Sequence, residues 1–289
     1  MGIFHWQTRF RCKRYLRGSE IVLKYAGREQ IFNPDDMLVL RQDGKFDRAP
    51  TMKLHQSIKE SYELGREPSL NQFPEEWPEF KQFWETFYVT CNNLYLQVLS
   101  ALALSFGLPE KFFQPLCNNG DNTLKTMHYP PVPKDLKGVR MMAHTDLEIV
   151  TLLLQDSAGG LELKDRDGEW VKATPVPGVR PLTFPANKKC VTVNAADLLM
   201  RWSNGKIRST MHRVCPPPTP TPSDYYPSRY SVAFFAGPNP ETNIDALPGT
   251  FATESEKLYP PVNARDFIGG GFKDLYGGEA SKAETVIVA

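Results

Sequence analysis

Residues 140–156, RMMAHTDLEIVTLLLQD, constrain the fold of this chain more than any other segment. Their centre, 149–154, is a run of aliphatic and β-branched residues that predicts a buried strand. His144 and Asp146 stand at the start of the segment, two positions apart, so both side chains would point to one face of a strand. An imidazole and a carboxylate are costly to bury there unless a ligand such as a divalent metal binds them. Two protein ligands are too few for a tight site, so a third ligand is expected further along the chain.

From Asn122 onward, short apolar runs alternate with turns that contain Gly, Pro and Asp, and the chain has 25 prolines. About eight short strands with no long helix between them favour a mainly β fold with flanking helices, a double-sheet jelly roll or barrel, over a parallel α/β sheet. The predicted strands are 124–133, 140–156, the two arms of a hairpin that turns at Asp167-Gly168, 191–193, 207–214 and 229–235. A short turn or helix is predicted at 197–202.

Residues 78–107 predict the longest helix. Pro78 suits a first helical turn, and Gly107 and Pro109 would end the helix. Apolar residues recur every three or four positions and form one stripe, which we interpret as packing against a sheet rather than as a cofactor site. The stripe consists of Phe80, Trp84, Phe87, Cys91, Leu94, Val98 and Leu102.

The composition excludes several classes of partner. There are 34 basic and 33 acidic residues, so no net charge favours nucleic acid or an anionic membrane. No apolar run approaches the roughly 20 residues of a membrane span. The five cysteines are scattered, which indicates a reducing compartment. We expect a cytoplasmic monomer, although residues 1–20 are basic and a mitochondrial presequence is an alternative that scarce Ser and Ala disfavour.

The third metal ligand must come from a short list, because the chain has only five histidines. His212 lies in the alternating segment STMHRV, where it would face inward with Thr210. Together with His144 and Asp146 it provides two imidazoles and one carboxylate. This set typically binds ferrous iron on one face of an octahedron and leaves three positions open, whereas zinc prefers a more closed tetrahedral site.

A second group of residues points to an anionic ligand. Arg229 and Ser231 are two apart on a predicted strand, so both would face one side. An inward guanidinium on an apolar strand needs an anionic partner, which is either Asp224 or the carboxylate of a ligand. Tyr129 could supply a further hydroxyl donor. Iron with open positions beside a carboxylate-binding arginine implies a small dicarboxylate co-substrate.

Several segments carry a family resemblance. HTDLEIVTLLLQD, GGLELKDRDGEWV, VNAADLLMRWSNGKIRSTMHRV and SRYSVAFFAGPNP resemble the non-heme iron, 2-oxoglutarate-dependent dioxygenases of the isopenicillin N synthase-like group. KESYELGRE, DNTLKTMHYPPVP and DALPGT are similar to its fungal and bacterial members. The resemblance covers residues 55–265. It implies a distorted double-stranded β-helix, a jelly roll.

The resemblance also implies roles for individual residues. His144, Asp146 and His212 would bind Fe(II). Arg229 and Ser231, helped by Tyr129, would bind the distal carboxylate of 2-oxoglutarate. Phe235 is similar to an aromatic residue that lines the substrate pocket of relatives. The implied reaction uses dioxygen to hydroxylate, desaturate or rearrange a small organic, secondary-metabolite substrate.

The resemblance suggests three regions: an N-terminal helical and mixed region at 1–120, a dioxygenase core at 121–240 and a C-terminal extension at 241–289. Two departures from the family pattern stand out. The segment before GRE is shorter and unlike that of relatives, and residues 179–190 form an insertion that we interpret as a surface loop.

Two other functions stay open at this point. One is an iron oxidase of the same group that needs no 2-oxoglutarate, and the other is a degenerate, non-catalytic member. Neither the substrate nor the reaction outcome can be inferred from the motifs. We expect the remaining polar and aromatic candidates to be surface, packing or turn residues: His5, His55, His128, Asn194 and Trp202.

Overall fold

The computed structural model describes residues 59–134, 140–173, 191–216 and 224–276, and the backbone of five short strands nearer the N-terminus. The insertion at 179–190, His5 and His55 lie outside the described residues. The five N-terminal strands form two small antiparallel sheets. They are β1 (Lys13–Arg17), β2 (Glu20–Tyr25) and β3 (Arg28–Phe32), and β4 (Leu38–Leu40) with β5 (Phe46–Arg48).

The next elements are β6 (Glu60–Gly65) and the long helix α1 (Pro78–Ser105), which begins at the predicted proline. The predicted apolar stripe is buried at Phe80, Trp84 and Cys91, and its members Phe87, Leu94 and Leu102 are half-buried against the same core. In the second half of α1 the fully buried residues lie one position later than predicted, at Tyr95, Leu99 and Ala103. By length and composition alone α1 could cross a membrane. The expectation that no apolar run approaches the length of a membrane span is therefore wrong for this helix. Its buried side, however, belongs to the main hydrophobic core.

The rest of the described chain is mostly strands with three further helices. The strands are β7 (Thr123–Tyr129), β8 (Val132–Pro133), β9 (Met141–His144), β10 (Val150–Gln155), β11 (Leu161–Lys164), β12 (Trp170–Lys172), β13 (Thr192–Ala195), β14 (His212–Val214), β15 (Tyr225–Tyr226), β16 (Arg229–Ala236), β17 (Asn243–Ile244) and β18 (Val262–Asn263). The helices are α2 (Gln114–Cys117), α3 (Asp197–Trp202) and α4 (Ala264–Tyr276).

Two antiparallel sheets form the jelly roll. The larger has the strand order β13-β10-β16-β7-β6 and the smaller β12-β11-β14-β9. Neighbours in both sheets come from distant parts of the sequence, as expected for a double-stranded β-helix. The hairpin between β11 and β12 turns where predicted, and Gly168 has a φ of +87°, which favours glycine. The predicted mainly β fold with flanking helices is confirmed.

The two faces of the larger sheet have different roles. On one face Leu64, Leu124, Leu152 and Phe234 join the main core with α1. On the other face Met127, Tyr129 and Ala233 form a second cluster with Leu161 and Val214 of the smaller sheet. The second cluster therefore marks the interior between the sheets, where inward residues of β7 and β16 meet those of β11 and β14.

The predicted continuous strand at 140–156 is wrong. The segment forms β9 in the smaller sheet, a connection at 145–149, and β10 in the larger sheet. The predicted strand at 207–214 is also shorter, because only His212–Val214 pairs with its neighbours. His144 thus ends one strand and Asp146 lies beyond it, at the passage from one sheet to the other.

Candidate active site

The connection at 145–149 is held from two sides by backbone hydrogen bonds. The amide of Asp197, at the start of α3, donates to the carbonyl of Asp146 at 3.0 Å. The amide of Ile149 donates to the carbonyl of Ala236 at 3.0 Å, and its carbonyl accepts from the amide of Ala196 at 3.0 Å. These bonds fix the backbone of Asp146 independently of any β-ladder.

The structure brings His144, Asp146 and His212 together, and one possible ligand atom from each lies within 4.8 Å of the others. Asp146 Oδ1 is 3.8 Å from His144 Nε2 and 3.7 Å from His212 Nε2. Both distances are shorter than about 4.2 Å, the span of two metal–ligand bonds of about 2.1 Å. The strand register explains the approach of the histidines, since His212 on β14 pairs directly with His144 on β9.

Each histidine is oriented by its own backbone. The Nδ1 atom of His144 is 2.8 Å from the carbonyl oxygen of Met142, and that of His212 is 3.0 Å from the carbonyl oxygen of Thr210. Because a carbonyl can only accept, Nδ1 carries the hydrogen and Nε2 keeps its lone pair. Burial, followed by the charge of His212, lowers the pKa of His144 to about 4 against the opposing effect of Asp146. His144 is therefore neutral near pH 7, as metal binding requires.

Two side chains donate hydrogen bonds to Oδ2 of Asp146, the carboxylate oxygen that faces away from the histidines. Thr151 Oγ1 donates to Asp146 Oδ2 at 2.6 Å, and Asn194 Nδ2 donates to the same atom at 2.8 Å. The expectation that Asn194 is only a packing residue is wrong. Nothing in the sequence signalled this role, because Asn194 lies just beyond the predicted strand 191–193 and its partner belongs to a distant segment.

Two further carboxyl groups lie close to Asp146, on the side of α3 and residue 237. Burial, followed by the negative charge of Asp146, raises the pKa of Glu148 to about 7. Burial also raises the pKa of Asp197, although hydrogen bonds from Ser209 and Thr145 oppose it. Both groups thus carry less negative charge than exposed carboxylates would.

Arg229 is almost fully buried, with 1% of its surface exposed, and its bonds go to neutral acceptors. Its Nε donates to the carbonyl of Gly159 at 3.1 Å, its Nη1 to Ser231 Oγ at 3.0 Å and its Nη2 to Gln155 Oε1 at 3.1 Å. Three of the five guanidinium hydrogens are used in this way. No ion pair joins Arg229 to a carboxylate of the described residues, and the side chain of the exposed residue Asp224 does not bind it.

Tyr129 lies beside Arg229, as their strand register requires. The guanidinium carbon is 5.0 Å from the centre of the Tyr129 ring, and the hydroxyl points to the sulfur atoms of Met127 and Met141 at 3.6 and 3.7 Å. The ring thus forms one wall of the arginine pocket. The role of its hydroxyl toward a ligand stays a prediction.

Phe235 faces the same interior as Arg229 and Ser231, because even numbers of positions separate the three residues on β16. It pairs across the ladder with Thr151, which binds the carboxylate of Asp146. This position is next to the triad. Its predicted contact with substrate stays a prediction.

The other candidates have structural contacts. His128 points to the opposite face from Tyr129, as expected, where its Nδ1 is 2.7 Å from Glu60 Oε2 and its ring stacks on Tyr230. Trp202 is buried and packs on Phe113 with ring centres 4.9 Å apart. Among the described residues, the triad is the one group of three His, Cys, Asp or Glu side chains that could hold a metal ion.

Comparison with known proteins agrees with this geometry. The family model of the 2OG-Fe(II) oxygenase superfamily matches residues 120–238, which include the triad, Arg229 and Phe235. A 2-oxoglutarate-dependent dioxygenase of Aspergillus rugulosus is 30% identical over 272 residues, which are 85% of this chain and 76% of that protein. This chain belongs to the 2OG-Fe(II) oxygenase superfamily.

Other members of the superfamily are more similar over shorter stretches. A proline hydroxylase of Petromyces alliaceus is 37% identical over 70% of this chain, and a 2-oxoglutarate-Fe(II) type oxidoreductase of Emericella nidulans is 35% identical over 74%. This chain spans 63% and 60% of the length of these two relatives. The crystal structure of a full-length Neurospora crassa protein in complex with alpha-KG superposes with a TM-score of 0.66 and 39% identity, covering 74% of this chain and 69% of that one.

Membership in the superfamily accounts for the donor set. Iron and 2-oxoglutarate are the cofactors of these oxygenases, and His144, Asp146 and His212 offer two neutral nitrogens and one carboxylate oxygen from one side. This set suits ferrous iron and leaves room for other ligands. The buried guanidinium of Arg229, bound only by neutral groups, likewise suits an anionic co-substrate.

Proposed function

We propose that this chain is an iron- and 2-oxoglutarate-dependent dioxygenase that oxidises a small organic molecule. The observation that carries the proposal is the combination of the triad with a buried arginine in one interior. Iron alone would need only the triad. Arg229, which is buried and forms no ion pair with a carboxylate of the described residues, adds the requirement for an acidic ligand.

The triad's own side chains would prepare the metal position. His144 and His212 present Nε2 because their Nδ1 hydrogens are committed to backbone carbonyls. Asp146 presents Oδ1 because Thr151 and Asn194 occupy Oδ2. Outer hydrogen bonds of this kind fix ligand orientation and metal affinity. When bound, ferrous iron supplies activation of dioxygen by electron transfer, with oxidative loss of carbon dioxide from 2-oxoglutarate.

Arg229 and Ser231 would hold the distal carboxylate of 2-oxoglutarate. Besides the hydrogens that bind Gly159, Ser231 and Gln155, the guanidinium has two that a carboxylate could accept, and the hydroxyl of Ser231 can rotate from accepting to donating. Tyr129 closes the pocket with its ring and excludes water. The protein thereby fixes the far end of the co-substrate so that its near end meets the metal position, which is a contribution of orientation.

The substrate would lie in the remaining interior beside Phe235. We propose a secondary-metabolite substrate and oxidation by hydroxylation, with desaturation or ring rearrangement as other outcomes of the same site. The names of relatives support a small cyclic molecule: one is a proline hydroxylase, and the Neurospora crassa protein was also solved in complex with alpha-KG and thymine.

Turnover tests this proposal. The purified chain with ferrous iron, ascorbate, 2-oxoglutarate and a panel of small cyclic metabolites should release succinate in step with oxidised product. Arg229→Gln should raise the KM for 2-oxoglutarate by about 10- to 100-fold, the cost of losing a charge-assisted bond. No succinate with any substrate, despite bound iron, would contradict the proposal, and product formed without 2-oxoglutarate would identify an oxidase instead.

We also propose that the protein is cytoplasmic and monomeric and that it binds no nucleic acid and no membrane. The nearly equal numbers of basic and acidic residues support the absence of a polyanionic partner. Light scattering coupled to size exclusion tests the oligomeric state: we expect one species near the chain mass of 32.7 kDa, and a species of twice that mass would contradict the monomer.

A further inference from the structure

Lys59, immediately before β6, is a half-buried cation that forms no ion pair with the described residues. The ion pairs of the described residues involve Lys81, Lys125 and Lys257 but not Lys59. Burial is also the main reason that the pKa of Lys59 is lowered to about 8. Holding a cation in such surroundings destabilises a fold unless a partner compensates it. Lys59 therefore needs an explanation that the described residues do not supply.

The register of β6 places Lys59 in the interior of the jelly roll. Tyr62 and Leu64 are buried toward α1, so the alternate positions, Lys59 among them, face the other side of the sheet. Glu60 pairs with His128, which puts Lys59 beside Tyr129 at the end of the row that contains Arg229. Lys59 therefore faces the interior that also holds Arg229 and the triad.

The nearest other charges in this part of the interior cancel each other. Glu63 on β6 pairs with Lys125 on β7 in the ladder, and Lys125 Nζ is 2.5 Å from Glu63 Oε1. Lys125 and Glu63 act on the charge of Lys59 in opposite directions, so the pair does not compensate it. Glu148, two residues from Asp146, instead packs against residue 237, and no ion pair of the described residues joins it to Lys59.

Among iron, 2-oxoglutarate, Asp146 and Arg229 the charges would also balance without Lys59, while burial reduces the charge of Glu148 and Arg201 acts on Asp197 with the opposite charge. Ferrous iron carries two positive charges and Arg229 one, while Asp146 carries one negative charge and 2-oxoglutarate two. Arg140 is close enough to Asp156 for their charges to compensate. Lys59 is then one surplus positive charge in the space beside the metal position. A monoanionic molecule in that space would neutralise it.

We infer that Lys59 is a substrate-binding residue, and that the substrate carries an anionic group, a carboxylate, that pairs with its ammonium beside the triad. The inference rests on the proposed function and narrows its substrate class to small carboxylic acids. A neutral substrate of the same shape would leave the ammonium unpaired and would bind more weakly.

Equilibrium binding to the loaded protein tests this inference. The full chain with ferrous iron and saturating 2-oxoglutarate, without oxygen, is titrated with three acid and amide pairs: acetate and acetamide, benzoate and benzamide, and L-proline and L-prolinamide. The wild type should prefer the acid in at least one pair by about 10- to 100-fold. Lys59→Met should remove that preference and Lys59→Arg should keep it. Lys172→Met, at an exposed lysine of β12, should match the wild type.

Three results would overturn the inference. The first is a wild type that prefers the acid in none of the three pairs. The second is an acid preference that survives in Lys59→Met. The third is a tenfold or larger loss of 2-oxoglutarate affinity in Lys59→Met, which would assign Lys59 to the co-substrate. Failure of the wild type to form the visible complex of iron with 2-oxoglutarate is a separate result. It would contradict the proposed function itself, before any acid is added.

Discussion

Asn194 shows how a residue that never touches the metal position can control it. Its amide and the hydroxyl of Thr151 hold one oxygen of Asp146, so that the other oxygen faces the histidines. Asn194→Ala should lower the affinity for ferrous iron by about 10- to 100-fold, because the carboxylate can then rotate. Thr192→Ala, two residues earlier on the exposed part of β13, is the matched control. Equal iron affinity of the two variants in anaerobic titrations would contradict this role.

The burial of Lys59 leads to a second prediction, which concerns the free energy of unfolding. Its pKa is about 8 in the folded protein against an ordinary value of 10.5, so the folded state disfavours the charged form. The cost is fully present below pH 8 and disappears as the pH rises from 8 to 10.5. Lys59→Met should therefore stabilise the ligand-free protein at pH 7 by about 1–3 kcal/mol. Urea unfolding at about pH 7 and pH 10 measures this gain, and a gain that does not shrink at the higher pH would refute the explanation.

At the residue level, the sequence predicted the site residues whose chemical role only a few side chains can fill. With five histidines, the requirement for a third ligand pointed to His212, and the structure brings it within reach of His144 and Asp146. Spacing by two correctly placed Arg229 and Ser231 on one face of β16. The partners of Asn194 and Lys59 depend on which strands are neighbours, and that information is absent from one sequence.

At the level of elements, α1 shows that a periodic pattern can identify a helix and still place the centre of its buried face one residue away from where it lies. In its second half the apolar residues come in adjacent pairs, Leu94 with Tyr95 and Val98 with Leu99. Either member of each pair continues a helical stripe, so periodicity cannot choose between them. Packing against the larger sheet selects the later member of each pair.

The orientation of α1 is testable with two equivalent substitutions. Leu99 is 2% exposed and Leu104 is 60% exposed, on the same helix. Leu99→Ala should lower the free energy of unfolding by about 2–5 kcal/mol, since it leaves a cavity. Leu104→Ala should change it by less than about 0.5 kcal/mol. Similar losses in both variants, measured by urea unfolding, would show that α1 buries a different face.

The passage from β9 to β10 is the element that sequence patterns missed. Alternation and a long apolar run suggested one strand, whereas the chain leaves one sheet after His144 and enters the other at Val150. Backbone bonds from Ala196, α3 and β16 stabilise the connection, and all three lie far away in sequence. Non-local contacts of this kind decide where a strand ends, and a local pattern does not contain them.

At the scale of the molecule, the two sheets enclose a space in which cationic and metal-binding side chains converge from several strands or their ends. The turn-rich alternation of the sequence indicated a jelly roll or a barrel, and the family resemblance implied the jelly roll. The triad together with Arg229 located the chemistry inside it. The C-terminal segment shares the main core through Ile244, Leu247 and Ala264. The geometry of the interior thus depends on contacts that extend from β6 to α4.

The central claim is that this interior binds iron and 2-oxoglutarate together. Anaerobic addition of ferrous iron and then 2-oxoglutarate to the purified chain should produce the visible charge-transfer absorption of the ferrous chelate. The band should be absent in His212→Ala, which loses a metal ligand, and should need far more 2-oxoglutarate in Arg229→Gln. A wild-type protein that binds iron at the triad but shows no such band at saturating 2-oxoglutarate would contradict the account.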